Sequence, residues 1–420
     1  MSEIFHVVAL CSLVVIILGA LSAYVQGTLA SLPLLAVATG IVAGPALTGW
    51  IDPSDWQSKA IIVREIARFT IAISVVGIAI RTPPETWKRL VRPVTVMLTL
   101  GMAGMWAMST LVCWVTLGPA FSLSFATAVL TAACLTPTDP VAASAIVSGP
   151  IAENMLPANL RGLLSLESGA NDGLGYLFVM LPMLAIARGE AGGELVRHWL
   201  VDTLILDVLL AAGVGIVLGW LVARLQRLSD RYKLAEFHSY HAISIALAFG
   251  ALGLGRMLGA DGILTAFAAG GAFCLTVGRQ DAMEEENVHE TISKLMDLPA
   301  FVIFGLVIPW HGWATLGVWA VLFPLAILLL RRPPLMLALA PLLSSRFSGR
   351  DIAFAGWFGP IGIAAIFYAM ESVERTGDQF VWYAVSAAVA GSILIHGVTA
   401  TPGMRLYASR GKAAAGEAVS

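Results

Sequence analysis

The sequence predicts an all-α polytopic membrane protein with about thirteen transmembrane helices, two of them broken at mid-span, and three observations lead there. Of the 420 residues, 58% are hydrophobic and 12% charged, and the mean hydropathy is +0.83. A soluble domain carries about 25% charged residues. Apolar runs of span length also follow one another along the whole chain, separated by short polar breaks. Finally, a carboxylate stands deep in one such run, Asp139 in Leu135-Thr136-Pro137-Thr138-Asp139-Pro140. At bilayer depth it costs at least about 2.5–3.5 kcal/mol, so such a group is usually there to act.

The predicted spans, in order, begin with 4–24. No Lys or Arg precedes this run, so it is expected to be retained rather than cleaved as a leader. The second, 30–50, carries Gly40-x-x-x-Gly44, a common helix-packing pattern that says little by itself. Spans 61–80 and 93–117 are separated by Arg81, Lys88, Arg89 and Arg92. The fifth, 121–147, contains Asp139 between Pro137 and Pro140 and cannot be an undisturbed helix. The sixth, 160–187, carries Glu167-Ser168-Gly169-Ala170-Asn171-Asp172-Gly173 and reads as continuous helix. Spans 200–224 (with Gly215-x-x-x-Gly219), 239–258 and 262–279 follow. The tenth, 298–310, is short, and the eleventh, 313–344, is long enough to tilt or kink at Arg331-Arg332-Pro333-Pro334. The twelfth, 351–370, is interrupted by Gly356-Trp357-Phe358-Gly359-Pro360-Ile361-Gly362, and the last is 379–401.

Placing the C-terminus in the cytoplasm gathers most Lys and Arg on the inside, which predicts N-out, C-in. The polar segment from Arg279 to Asp297 reads as a solvated interfacial helix, with His289 among glutamates as a candidate cytoplasmic pH sensor. Residues 403–420 form a short Ala/Gly-rich cytoplasmic tail, with no attached nucleotide-binding or catalytic module expected. The breaks in the fifth and twelfth spans lie an odd number of spans apart, so the two helices run in opposite directions. Paired breaks of this kind mark inverted repeats with a midplane site between them.

A formal charge of −2 argues against nucleic acid as a partner. Cys11, Cys113, Cys134 and Cys274 fall in apolar runs at unrelated spacings and read as packing residues, with neither a disulfide framework nor a zinc pattern. No cofactor is expected. His238, His241 and His311 lie near span ends and read as interfacial.

Around the fifth-span break, unpaired carbonyls and half-helix ends survive in a bilayer only when buried or lining a polar cavity. Asp139 is either the cap of the second half-helix or a neighbour of an ion, two compatible roles. On a continuous sixth span, Ser168 and Asp172 share one face, and Glu167 and Asn171 share the next. A hydroxyl and a carboxylate together offer hard oxygen ligands for an alkali cation. Gly169, Gly173 and Gly175 let neighbouring helices approach closely. Glu167 needs a partner, and Arg331 and Arg332 are the candidates. Adjacent positions face different ways, so one reaches Glu167 and the other is left to snorkel. An intramembrane aspartyl hydrolase built on Asp139 and Asp172 is a poor fit, since one Asp lies in a Pro-broken helix and the other is paired with Asn. An enzyme is therefore not expected.

The strings at 135–140, 167–173 and 356–362, with His-Gly-Val-Thr-Ala-Thr-Pro at 396–402, resemble monovalent cation/proton antiporters. The similarity is to the sodium/proton exchanger branch with an Asn-Asp pair, and the first two strings resemble fungal plasma-membrane exchangers in particular. The resemblance implies a secondary transporter in which Asp172 binds either Na+ (or Li+ or K+) or a proton. Thr138 and Ser168 would add oxygens, Asp139 would sit where two broken helices cross, and Asn171 would hold them together. Glu167 and one of Arg331 and Arg332 would form a structural ion pair. Pro137, Pro140, Gly359 and Pro360 would mark the crossing. A transmembrane domain, 1–402, would divide into a moving core, including 121–187 and 313–401, and a dimer-interface part, forming a homodimer in the cell membrane. With Asn171 unable to titrate, exchange would be one-for-one and electroneutral. A potassium efflux channel or uniporter is the alternative. The chain departs from many bacterial members in having no acid at Ser74–Ile78, and from some members in having Ile361 where they carry a basic residue.

Overall fold

The computed structural model describes residues 2–26, 28–56, 58–232, 239–277, 293 and 295–417, and among these the regular structure is entirely helical. Helical segments occupy each of the predicted spans. Among the described residues, five helices are individually long and apolar enough to cross a membrane: Pro84–Phe121, Ala158–Ala187, Gly192–Tyr232, Trp319–Ala338 and Gln379–Ser409. The other segments are shorter or broken, so the count of thirteen rests on the sequence. The polar segment read as a pH sensor, including His289, lies outside the described residues, as do His238 and the side chain of His241.

Three boundaries differ from expectation for local reasons. The fourth helix starts at Pro84 rather than near 93. Its first turn has Pro at the favoured position and Glu85 near the helix N-terminus. Thr86, Leu90 and Pro93 face inward while Lys88, Arg89 and Arg92 stay exposed. The tenth segment, Leu295–Val307, continues after a 62° bend at Ile308-Pro309 into Trp310–Leu316. The last helix, Gln379–Glu417, runs through Pro402 and past the expected start of a separate tail.

The break in the fifth span is where the prolines put it. Helix Phe125–Cys134 ends, residues 135–143 are non-helical, and Ser144–Val147 resumes. In the twelfth, Gly349–Trp357 opens with a Ser348–Asp351 capping box, breaks over 358–362, and resumes as Ile363–Thr376. Residues 131–141 and 358–373 are all buried, so the broken backbone lies inside the protein. That is the condition for non-helical chain at membrane depth.

Close helix contacts rest on small residues. A Cβ at Gly40 would strike the backbone carbonyl of Val302, opposite Gly305. Gly215 and Gly219 lie against the carbonyls of Thr265 and Ala269. Both Gly-x-x-x-Gly patterns are therefore used in packing. The four cysteines are buried thiols.

Candidate functional site

The sixth span is an unbroken helix, Ala158–Ala187, and it brings Glu167, Ser168, Asn171 and Asp172 into the buried interior, each at most 3% exposed. Three glycines let it in. A Cβ at Gly169 would lie 2.9 Å from the Phe267 ring, one at Gly173 2.8 Å from the Leu264 backbone, and one at Gly175 2.6 Å from Pro137.

Asn171 ties this helix to the fifth-span break. Its Nδ2 donates to Thr138 Oγ1 at 2.8 Å, and its Oδ1 accepts from the Thr138 backbone N–H at 3.1 Å. The sequence pairing of Asn with Asp is thus a division of labour. Asn171 is spent on the fold, whereas Asp172 Oδ1 is buried with no hydrogen-bond partner among the described residues. Ser168 donates to the Leu164 carbonyl at 2.7 Å, which leaves lone pairs on its oxygen. Tyr368 donates to the backbone carbonyl of Asp172 at 2.5 Å, fixing the helix there without using the carboxylate.

Asp139 sits at the crossing of the two broken helices. Its backbone N–H donates to the Pro360 carbonyl at 2.8 Å. Its Oδ1 accepts from the N–H groups of Val141 (2.7 Å) and Ala142 (3.2 Å), and its Oδ2 from that of Ile363. It caps the starts of both second half-helices, where exposed N–H groups carry partial positive charge. Gly362 is required for this. A Cβ there would overlap Asp139 Oδ2.

The two adjacent arginines separate cleanly. Arg332 forms the pair with Glu167, at 2.5 and 2.7 Å, and its Nε reaches the Ala355 carbonyl at 2.8 Å. Arg331 does not snorkel. It is 1% exposed and donates to the carbonyls of Leu135, Thr136 and Pro137, and to that of Gly359 at 2.5 Å. The first set of carbonyls lacks helical donors because Pro140 has no N–H for Thr136, the Asp139 N–H goes to Pro360 and the Val141 N–H to the Asp139 carboxylate, and Gly359 and Pro360 lie in the second break. Gly359 lets Arg332 pass, since a Cβ there would strike its side chain.

Sequence reasoning missed three contributors. Ser392 Oγ accepts from the Ile361 N–H at 2.7 Å, and His396 Nε2 lies 2.9 Å from the Trp357 carbonyl. The Trp357 carbonyl can only accept, so Nε2 donates in that contact, while Nδ1 lies 3.1 Å from both the hydroxyl and the carbonyl oxygen of Ser392. The spacing of four between Ser392 and His396 was the available signal. Asp297 was placed in the polar segment, but it is 9% exposed and lines a cavity beside the crossing. No group of three or more His, Cys, Asp or Glu positioned for a metal occurs among the described residues.

A family model described as "Sodium/hydrogen exchanger, transmembrane" matches residues 10–406. The chain is 33% identical to the Na(+)/H(+) antiporter 2 of Zygosaccharomyces rouxii over 80% of its own length and 42% of that protein's. It is 32% identical to the Na(+)/H(+) antiporter of Saccharomyces cerevisiae over 79% of its length and 34% of that protein's. The chain thus spans less than half the length of these two relatives. Among solved structures, the sodium proton antiporter MjNhaP1 from Methanocaldococcus jannaschii at pH 8 matches with a TM-score of 0.66 and 18% identity, covering 97% of each chain.

Proposed function

This chain belongs to the sodium/hydrogen exchanger family, and from that membership and the geometry around Asp172 we propose that it exchanges Na+ for H+ across a membrane. The observation that carries the reading is the buried Oδ1 of Asp172, without a hydrogen-bond partner among the described residues, one helical turn from the Ser168 hydroxyl and beside the Asn171–Thr138 tie. The Asp172 carboxylate would take either a proton or a cation, with Ser168 and Thr138 contributing oxygens to the cation. Either load neutralises it, whereas the bare charge is costly to carry through the membrane. Competition for one group is therefore enough to couple the two fluxes.

Asp139 is held by three backbone N–H groups and Asn171 cannot titrate, so one group changes charge per cycle and exchange is one-for-one and electroneutral. The chain would act as a homodimer in the cell membrane, N-terminus outside and C-terminus in the cytoplasm. Residues 121–187 and 313–401 would contribute to a moving core and the remaining helices of 1–402 to the interface. It is a transporter rather than an enzyme.

The test uses everted membrane vesicles holding a pH gradient, with Na+, Li+ or K+ added in turn over pH 6.5–9. Collapse by Na+ in wild type and its loss in Asp172→Asn is the expected result. No collapse with any cation, from an inserted protein, would overturn antiport. Cation flux driven by voltage alone would favour a channel.

A further inference from the structure

Away from Asp172, a cavity of about 120 Å³ opens between the crossing and the helices that pack against it. One water centre occupies about 10–15 Å³ on this measure, so a partly hydrated cation fits. Pro140 and Val141 line it, and the Val141 N–H bonds Asp139, so the cavity reaches the crossing itself. Ser74, Ser293 and Asp297 line it from the other side. Thr70, one turn before Ser74, donates to the Met296 carbonyl at 3.5 Å, which sets Asp297 alongside Ser74.

Two polar atoms here are orphaned. Asp297 Oδ1 and Ser293 Oγ are buried without a hydrogen-bond partner among the described residues, in side chains 9% and 7% exposed. A buried carboxylate oxygen and hydroxyl left without partners carry a desolvation cost, and a bound ion would relieve it.

We propose that Asp297 and Ser293, with Ser74, form a relay site that takes a monovalent cation from this cavity before it passes to Asp172. The inference rests on the exchange reading above. Arg81 lines the same cavity as Asp297, so a fixed positive charge shares the site with the carboxylate. A cation beside the carboxylate weakens the site, which conduction requires, because an ion held too tightly does not move on.

Na+ is added to everted vesicles at low ionic strength, and the half-saturating concentration is read for each variant. Asp297→Asn is expected to raise it about tenfold, the low end of what a charged cleft adds to local ion concentration, and by more than it lowers the maximal rate. Choline chloride should shrink the difference and Asp297→Glu restore most of the affinity. Arg81→Gln should shift it the opposite way, to lower concentration. If Asp297 were only a structural partner of Arg81, both variants would instead lose rate together with unchanged half-saturation, and the inference falls. Should Asp297→Asn fail to insert, Ser293→Ala carries the test, with an unchanged half-saturating concentration overturning it. Wild-type vesicles without any cation-driven proton movement would overturn both readings; a working wild type with an unaffected Asp297→Asn would overturn this one alone.

Discussion

Asp139 and Arg331 divide the crossing of the two broken helices by sign: the carboxylate accepts from the N–H groups that open both second half-helices, and the guanidinium donates to the carbonyls that close both first halves. Partial positive charge meets an anion and partial negative charge meets a cation. The ends of the broken helices are thereby paired within the protein, while the neighbouring Asp172 keeps a buried carboxylate oxygen without a hydrogen-bond partner among the described residues.

Replacing Arg331 should therefore act on stability before it acts on ion affinity. Arg331→Met would strand at least two buried carbonyls at about 1–3 kcal/mol each, visible as a lower melting temperature of the purified protein. Arg331→Lys should recover only part of this, because a point charge cannot span both half-helix ends as a planar fork does. Equal melting temperatures for wild type and Arg331→Met would contradict the assignment.

Glu167 and Arg332 should behave as a coupled pair. Breaking a buried ion pair by removing one partner costs about 3–5 kcal/mol, whereas replacing both by apolar groups of similar volume can be nearly neutral. Glu167→Leu and Arg332→Met should each destabilise strongly, and the double variant less than the sum. Additive losses in a thermal double-mutant cycle would show that the bidentate contact is not a stability determinant.

Much of this was legible in the sequence, and the gaps have physical causes. Pro137, Pro140 and Gly359-Pro360 announce broken backbone because proline removes a donor wherever it falls. Helical spacing put Ser168 and Asp172 on one face, and the helix is unbroken there. The partner of Glu167 could be narrowed to Arg331 or Arg332 but not chosen, since that depends on where the Ala355 carbonyl and the first broken helix sit in space. The expectation that one arginine would snorkel failed because the orphan carbonyls of residues 135–137 offered it a buried alternative. Asp297 was hidden for a different reason. It adjoins a charged segment, and composition averages over a boundary that burial draws sharply.

Gly362→Ala should abolish transport, because its methyl group would occupy the position of Asp139 Oδ2 and displace the carboxylate from Ile363. Gly349→Ala is the control. Gly349 is an exposed helix position with open space around an added methyl group, where Ala is tolerated or adds up to about 1 kcal/mol. Vesicle assays at matched membrane abundance would separate the two, and retained exchange in Gly362→Ala would show that the Asp139–Ile363 contact is dispensable.

Competition for Asp172 makes a quantitative statement about pH. While the carboxylate is mostly deprotonated, lowering the pH leaves the half-saturating Na+ concentration unchanged. Once it is mostly protonated, each further unit removes nine-tenths of the remaining binding-competent form, so the half-saturating concentration climbs about tenfold per unit. The sign follows from the shared site: protons oppose Na+ on the loading side, and saturating Na+ should recover the rate. A separate proton-binding switch would behave differently, lowering the maximal rate at acid pH with no recovery at high Na+. Measuring initial rates against Na+ at half-unit pH steps distinguishes the two. Lines that converge at saturating Na+ support a single exchanging carboxylate, and lines that stay apart require a second titrating group. In the second case the electroneutral one-for-one count would have to be re-measured against membrane voltage.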